Sequence, residues 1–231
     1  MSLLLLESAA STQDELVARV QAGEAVTGVA AGMQTAGRGR FGRPWDSPPG
    51  ESLALSVLLP MPSDAKAAPF VGMALAARVA ERYGIGVQWP NDVTFQGRKL
   101  AGILIEGVTI ERARWLILGI GVNLSQTSFG EALAERATSL RIAFGRTPNW
   151  QEEARAIYDL AQIRPPATFA ELAPLWSRFD ETPGKCYRPP GGDMEIARGI
   201  DAEGRLLLAR SVCGIPVAEA YFGPARGESP E

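Results

Sequence analysis

The segment Trp115-Leu116-Ile117-Leu118-Gly119-Ile120-Gly121-Val122 contains no charged side chain. An apolar run of this length predicts a strand that is buried on both faces, in the middle of a sheet. Residues 53–59 and 99–106 predict two further strands. The run at residues 93–95 predicts a hairpin partner for the strand at 99–106, joined to it by the turn Gln96-Gly97-Arg98.

Two helical patterns lie among these strands. Thr12 and Glu15 stand at capping-box spacing at the start of the first, and Gly23 is placed to end it. An alanine-rich pattern over residues 65–83 predicts the second. Strands joined largely by hairpins, with helices between some of them, indicate an α+β fold that consists of a mixed β-sheet with helices on one face.

The C-terminal part of the chain changes character. Weak patterning predicts a loop over residues 125–149, followed by helices at 150–161 and 169–179. Short β-like runs separated by glycines then predict a small β-barrel. These runs are residues 185–189, 194–198, 206–209 and 215–220. We therefore expect a domain of residues 1–181 and a C-terminal domain of residues 182–231, with a disordered tail from Pro224.

The composition excludes several classes of enzyme, because none of the 231 residues is histidine. Imidazole-based triads, HExxH zinc sites and the two-histidine iron site are all ruled out. With 23 basic and 26 acidic residues, the net charge of −3 argues against a polycationic nucleic-acid surface. Cys186 and Cys213 lack CxxC spacing and are most simply free thiols. The early apolar run, residues 3–6, is too short for a signal peptide or membrane span, so we expect a cytoplasmic protein.

The strongest motif is the stretch Gly37-Arg38-Gly39-Arg40-Phe41-Gly42-Arg43. Its glycines let backbone N–H groups approach a ligand closely, and its arginines supply three permanent positive charges. This chemistry suits a phosphate-bearing or carboxylate-bearing ligand. The stretch matches neither the P-loop nor the GxGxxG fingerprint. The alternative interpretation is a solvated turn or an RGG-like nucleic-acid segment.

Three further segments are individually weak signals. In Trp89-Pro90-Asn91-Asp92, a carboxylate after a strand end can hold the hydrated Mg²⁺ that accompanies a nucleotide, although these residues also form ordinary turns. Lys99 begins a strand, where a lysine is usually a surface residue. Gly119 and Gly121 interrupt an apolar strand, which often marks a ligand or a second backbone packed against it.

Taken together, these motifs resemble the biotin protein ligases, which activate biotin as biotinyl-adenylate and attach it to a carrier lysine. The segments that carry the resemblance are Ser11-Thr12-Gln13-Asp14, Gln34-Thr35-Ala36-Gly37-Arg38-Gly39-Arg40-Phe41-Gly42-Arg43-Pro44-Trp45, Trp89-Pro90-Asn91-Asp92, Lys99-Leu100-Ala101-Gly102-Ile103-Leu104-Ile105-Glu106 and Gly119-Ile120-Gly121-Val122-Asn123. The resemblance implies the class II synthetase-like fold of biotin and lipoate ligases, with a small SH3-like C-terminal barrel.

Two departures from the family pattern stand out. The family usually has lysine immediately before Trp-Pro-Asn-Asp, whereas this chain has Gln88, which removes a positive charge that could contact phosphate. Repressor-type members carry an N-terminal winged helix, whereas the first motif here begins at Ser11. The expectation is a short ligase that does not bind DNA.

The resemblance also implies roles for single residues. Arg40, Lys99 and Asp92 are the expected catalytic residues, with Asp92 as the Mg²⁺ ligand and the candidate base for the acceptor amine; bulk solvent is the alternative base. The residues expected around biotin are Ser11, Thr12, Gln13, Gln34, Gly37, Arg38, Gly39, Arg40, Lys99 and Gly102. Those expected at ATP or the adenylate are Arg40, Arg43, Trp45, Asn91, Asp92 and Asn123.

The implied substrates and partners are biotin, ATP with Mg²⁺, and the biotin carboxyl carrier domain of a carboxylase. Family members often form homodimers through sheet edges, and nothing in this sequence decides its oligomeric state. The rival hypotheses are a lipoate ligase, a degenerate protein that binds biotin or adenylate without catalysis, and an arginine-rich nucleic-acid binder.

Overall fold

The computed structural model describes residues 2–189, 192–210 and 214–222. Within them the strands are β1 Leu3–Leu6, β2 Gly28–Ala31, β3 Ser52–Pro60, β4 Gly86–Gln88, β5 Asp92–Phe95, β6 Arg98–Ile110, β7 Ala113–Asn123, β8 Cys186–Tyr187, β9 Glu195–Ile200 and β10 Leu206–Leu208. The α-helices are α1 Thr12–Gln21, α2 Ala68–Tyr83, α3 Leu140–Phe144, α4 Trp150–Gln162, α5 Phe169–Trp176 and α6 Val217–Phe222. Short 3₁₀ turns occur at Arg40–Gly42, Ala65–Ala67 and Glu131–Leu133.

Seven strands form one sheet in the order β1-β2-β3-β7-β6-β5-β4. Strands β1 and β2 are parallel, and the other neighbours are antiparallel, so the predicted mixed sheet is confirmed. The apolar strand β7 is the fourth of the seven, as its sequence predicted. The hairpin of β5 and β6 is confirmed as well.

The two faces of the sheet carry different helices because successive side chains of a strand point in opposite directions. Leu116, Leu118 and Ile120 of β7 belong to the large core, which also contains the buried faces of α2 and α4. Ile117 belongs to a smaller cluster with Leu16 of α1. The prediction of helices on one face is therefore confirmed for α2 and α4, whereas α1 packs against the opposite face.

Helix α1 begins differently from the capping-box expectation. The Ser11 hydroxyl, not that of Thr12, accepts a hydrogen bond from the Asp14 backbone N–H, at 3.3 Å. The Thr12 hydroxyl lies 2.8 Å from Ser56 Oγ on β3. Tertiary packing thus holds Thr12 on the sheet, and the neighbouring serine becomes the cap.

The predicted closed barrel is wrong for the part of the C-terminal region that the structure describes. Strands β8, β9 and β10 form an open three-stranded antiparallel sheet. In the predicted fourth β run, Ile215 makes a single bridge to Leu206 and is followed by the helix α6. Two strands of only two and three residues and a helix do not supply the continuous ring of hydrogen bonds that closure requires.

Other predictions for this half of the chain have mixed outcomes. The region predicted as a loop contains the turn Glu131–Leu133 and helix α3. The domain boundary at residue 182 stays a prediction, and Cys213 and the tail from Pro224 lie outside the described residues.

No helix in the described part of the chain is long and apolar enough to span a membrane.

Candidate active site

A cavity of about 560 Å³ opens on the α1 side of the sheet. Its floor includes Ala54 of β3, Gly102 of β6, and Gly119 and Gly121 of β7, which are small residues at neighbouring positions of the sheet. A Cβ on Gly119 would lie 3.2 Å from Gln13 Cδ, and a Cβ on Gly121 would lie 2.5 Å from Trp45 Nε1. The glycines that interrupt the apolar strand therefore make room for two side chains that line the cavity.

The cavity brings together residues from all of the motifs. Fourteen of the fifteen predicted site residues line it: Ser11, Thr12, Gln13, Gln34, Arg38, Gly39, Arg40, Arg43, Trp45, Asn91, Asp92, Lys99, Gly102 and Asn123. The exception, Gly37, packs behind the lining. Its carbonyl accepts a hydrogen bond from Trp45 N at 2.9 Å, and a Cβ there would lie 2.7 Å from Trp45 O. Gly37 thus positions the loop by close packing.

One end of the cavity is a buried polar network. Gln34 Oε1 accepts hydrogen bonds from Thr12 N and Thr12 Oγ1, at 2.8 and 3.1 Å. The Thr12 hydroxyl continues this network to Ser56. Beside it, Gln13 Nε2 is buried and has no hydrogen-bond partner among the described residues. An unpaired buried donor is costly, so this amide is well placed to donate to an acceptor on a ligand.

Arg38 has all five of its N–H groups engaged within the protein. Nη1 and Nη2 donate to the two carboxylate oxygens of Asp14 at 2.7 and 2.8 Å. Nε and Nη2 donate to Glu106 at 3.3 and 3.0 Å, and Nη1 also donates to Ser11 Oγ at 2.9 Å. The bond from Arg38 lowers the pKa of Asp14. Arg38 therefore ties the glycine-arginine loop to α1 and to β6.

Lys99 lines the cavity beside Asp92 and Trp45. Its Nζ is 2.7 Å from Asp92 Oδ1 and 5.4 Å from the centroid of the Trp45 ring. A Cβ at Gly102 would lie 2.8 Å from Lys99 Cε, so a glycine is needed beside this lysine. Both charged side chains are about one-third exposed, at 34% for Lys99 and 27% for Asp92, and remain accessible to a ligand.

Trp45 and Asn91 present further unpaired polar atoms. Trp45 Nε1 is buried without a hydrogen-bond partner among the described residues, as is Asn91 Oδ1. The Asn91 amide nitrogen donates to Ile103 O at 2.5 Å, which fixes the orientation of the side chain. Both residues line the cavity. Asn91 Oδ1 offers an acceptor to a polar ligand, whereas Trp45 Nε1 packs against Gly121.

The remaining predicted residues also contact distant parts of the chain. Arg40 Nη1 donates to Ala220 O in α6 at 2.8 Å, so the glycine-arginine loop touches the C-terminal region. Asn123 Nδ2 donates to Thr138 O at 2.9 Å and holds the segment that precedes α3 against the end of β7. The Arg43 guanidinium lies 6.0 Å from the centroid of the Phe41 ring.

The residues present fit a magnesium ion that arrives with a nucleotide rather than a permanent metal centre. No three acidic or thiol side chains cluster as metal ligands in the part of the chain that the structure describes. Asp92 is a single accessible carboxylate, already paired with Lys99. Mg²⁺ commonly takes one or two carboxylates and fills its other positions with water and phosphate oxygens.

Several lining residues were missed by the sequence reasoning. Ser56 had a signal, because it is a polar residue inside the apolar run of β3. Arg136 and Lys185 had none, since each belongs to a segment without a motif. Gln88, noted for its missing charge, lines the cavity. Burial raises the pKa of the Tyr187 phenol, which donates to Trp89 O at 2.6 Å.

The chain is similar to known proteins over most of its length. Residues 5–123 match the model of the biotin/lipoate A/B protein ligase family. The bifunctional ligase/repressor BirA of Escherichia coli is 34% identical, over 90% of this chain and 69% of that protein.

The chain belongs to the biotin/lipoate A/B protein ligase family.

Another member is close to this chain over most of its length. The biotin–[acetyl-CoA-carboxylase] ligase of Mycobacterium tuberculosis is 34% identical, over 86% of this chain and 79% of that protein. The solved structure of the Aquifex aeolicus biotin protein ligase in complex with biotin and ATP matches with a TM-score of 0.72 at 26% identity. The match covers 93% of this chain and 95% of that one. Membership of the ligase family confirms the resemblance that the motifs indicated.

Proposed function

We propose that this ligase-family chain is a biotin protein ligase that forms biotinyl-5′-AMP from biotin and ATP and transfers biotin to a lysine of a biotin carboxyl carrier domain. The observation that carries the proposal is the single cavity in which Lys99 and Asp92 lie 2.7 Å apart and all of the ligase motifs meet. The names of the relatives favour biotin over lipoate, since they are biotin ligases.

Biotin recognition is assigned to the polar end of the cavity. The ureido ring is neutral but has two N–H donors and a strong carbonyl acceptor, and these need partners once they are buried. The unpaired Gln13 Nε2 and the network of Thr12, Gln34 and Ser56 offer such partners. A site that satisfies every polar atom of the ring rejects analogues that lack them. The N–H donors of Arg38 are already engaged within the protein. Direct contact of Arg38 with biotin therefore stays a prediction.

Adenylation requires charge stabilisation rather than proton transfer. The biotin carboxylate, already ionised at neutral pH, attacks the α-phosphorus of ATP, and pyrophosphate leaves. Lys99 and Arg40 line the cavity and would offset the negative charge that develops. Asp92 would hold the Mg²⁺ that accompanies the phosphates and neutralises part of their charge. This mechanism needs no imidazole, in agreement with a chain without histidine.

Transfer to the acceptor requires the carrier lysine to lose a proton before it attacks the mixed anhydride. Asp92 is the carboxylate that lines the cavity beside Lys99, and we assign it as the base, with bulk solvent as the alternative. Trp45 lies over the cavity floor and would shield the anhydride from water.

Because the reaction uses ATP and its acceptor is a domain of a carboxylase, we expect it in the cytoplasm. The absence of DNA binding and the formation of a homodimer stay predictions.

The test is biotin-dependent ATP–pyrophosphate exchange by the full chain, followed by transfer to a purified biotin carboxyl carrier domain. Transfer is detected as the mass of one added biotin. We expect exchange with biotin and none with lipoate, which would otherwise identify a lipoate ligase. A folded sample that binds biotin but does not catalyse exchange would overturn the proposal in favour of a non-catalytic binding protein.

A further inference from the structure

The cavity is more basic than the protein around it. Its lining includes three acidic side chains, Asp46, Asp92 and Glu135, and twice as many basic ones. The basic residues are Arg38, Arg40, Arg43, Lys99, Arg136 and Lys185. The whole chain has a net charge of −3, so the excess of positive charge is local. Such a local excess in a cavity favours an anion with several charges.

Four of the six basic side chains already have partners. Arg38 is bonded to two carboxylates, and Lys99 is paired with Asp92. Arg40 donates to a carbonyl of α6, and Arg43 lies over an aromatic ring. Their charges are partly offset, or their orientations partly fixed, before any ligand enters.

Lys185 and Arg136 differ from those four. Across residues 2–189, 192–210 and 214–222, neither side chain has a hydrogen bond, ion pair or ring contact. Lys185 is partly buried, and Arg136 is exposed. A lysine that gives up part of its hydration without a partner is stabilised when an anion binds beside it.

Both residues lie where strand β6 begins. Lys185 Nζ is 2.9 Å from the position of a Cβ on Gly97, in the turn between β5 and β6. The backbone carbonyl of Arg136 accepts a hydrogen bond from Lys99 N at 2.8 Å. They therefore flank the stretch of β6 that carries Lys99, two strands away from β3, on which Ser56 joins the Thr12 and Gln34 network.

We propose that Lys185 and Arg136 form a subsite for the two outer phosphates of the nucleotide and bind them as they leave as pyrophosphate. This inference rests on the proposed ligase function. In that reaction, a biotin carboxylate oxygen forms a bond to the α-phosphorus. The bond from the α-phosphorus to the oxygen that bridges to the β-phosphorus breaks, and its electron pair leaves with pyrophosphate. Two cations beside Lys99 would stabilise the charge on that leaving group.

The first experiment measures binding of inorganic pyrophosphate to the full chain by calorimetry. We expect Lys185→Gln and Arg136→Gln each to weaken binding about tenfold, since each removes one charged hydrogen-bond donor. Lys185→Arg should stay within about twofold, because it keeps the charge and the donors. The matched control is Lys66→Gln, which removes the same charge from an exposed position outside the cavity and should leave the affinity unchanged.

The second experiment separates this subsite from the proposed function. In the exchange assay, the two glutamine variants should raise the KM for ATP about tenfold while the Kd for biotin stays unchanged. If the unaltered chain catalyses exchange and the variants match it in both pyrophosphate affinity and KM for ATP, the subsite is wrong. A parallel loss of biotin affinity would also overturn it. If the unaltered chain shows no exchange, the ligase proposal fails, and the pyrophosphate titration still decides whether this anion subsite exists.

Discussion

The Trp45 indole packs directly on Gly121, so closely that position 121 has no room for a side chain. A Cβ on that residue would lie 2.5 Å from Trp45 Nε1, inside the van der Waals surface of the ring. A Cβ on Gly102, which pairs with Gly121 on the neighbouring strand β6, would lie 3.3 Å from the same ring, so the indole rests on glycines of two adjacent strands. The glycine in the apolar strand and the tryptophan that ends the glycine-arginine motif are therefore parts of one arrangement.

Gly121→Ala should displace Trp45 and disrupt the cavity. Overpacking at such a contact typically costs about 1–3 kcal/mol, and we expect the rate of biotin-dependent exchange to fall at least about tenfold. The matched control is Gly107→Ala on β6, where the new methyl would meet only the flexible end of Met61, at 3.3 Å. Equal activity of the two variants would show that Trp45 does not need its present position.

Arg38→Lys should destabilise the folded protein although it keeps the positive charge. An ammonium has three N–H donors and cannot reproduce the fork that joins Asp14, Glu106 and Ser11. We expect the melting temperature to fall by about 2–4 °C, which corresponds to about 1 kcal/mol for a domain of this size. Arg155→Lys, at an exposed position of α4, is the control and should not shift the melting curve. A melting temperature unchanged by Arg38→Lys would contradict the role of Arg38 as a tie.

Stability should depend on the ionisation of Asp14. The hydrogen bonds from Arg38 lower the pKa of this carboxyl in the folded protein. The stabilisation is therefore complete above the unfolded pKa of about 3.9 and is lost as pH falls through the lower folded value. We expect the urea midpoint of the unaltered chain to exceed that of Asp14→Asn at pH 6, and the gap to narrow below about pH 4.

The Arg38→Gln background is the control for this pH effect. In that background the guanidinium is absent, so Asp14→Asn should change the urea midpoint by the same amount at every pH. A difference between the two midpoints that stays constant from pH 6 to pH 3 would mean that Asp14 contributes through something other than its charge.

Substitutions of Lys99 and Asp92 should show which of these residues acts in each half-reaction, adenylation and transfer. Lys99→Gln removes a charge from the cavity and should slow biotin-dependent exchange by about 100-fold or more, whereas the exposed Lys66→Gln should leave it unchanged. Asp92→Asn should slow adenylation. It should also slow transfer from preformed biotinyl-adenylate by about 100-fold if Asp92 is the base. Transfer at the normal rate would assign the proton to solvent.

Much of the sheet followed from the sequence because local patterns fix strands directly. The uncharged run of β7 specified a central strand, and the turn Gln96-Gly97-Arg98 specified the hairpin of β5 and β6. Packing between distant segments was not available from these patterns. That packing put α1 on the face opposite α2 and α4, made Ser11 the helix cap, and left the C-terminal strands as an open sheet.

The sequence by itself determined which chemistry was available, because a chain without histidine that carries glycine-arginine, Asp92 and Lys99 motifs must act through charge rather than imidazole. Residue identity and spacing set that limit before folding. Only the tertiary structure decided how the charges are distributed. It satisfied all five donors of Arg38, paired Lys99 with Asp92, and brought Lys185 to the cavity from beyond the last long helix. The physical reason is that partners in an ion pair are chosen by distance in space, which separation along the chain does not reveal.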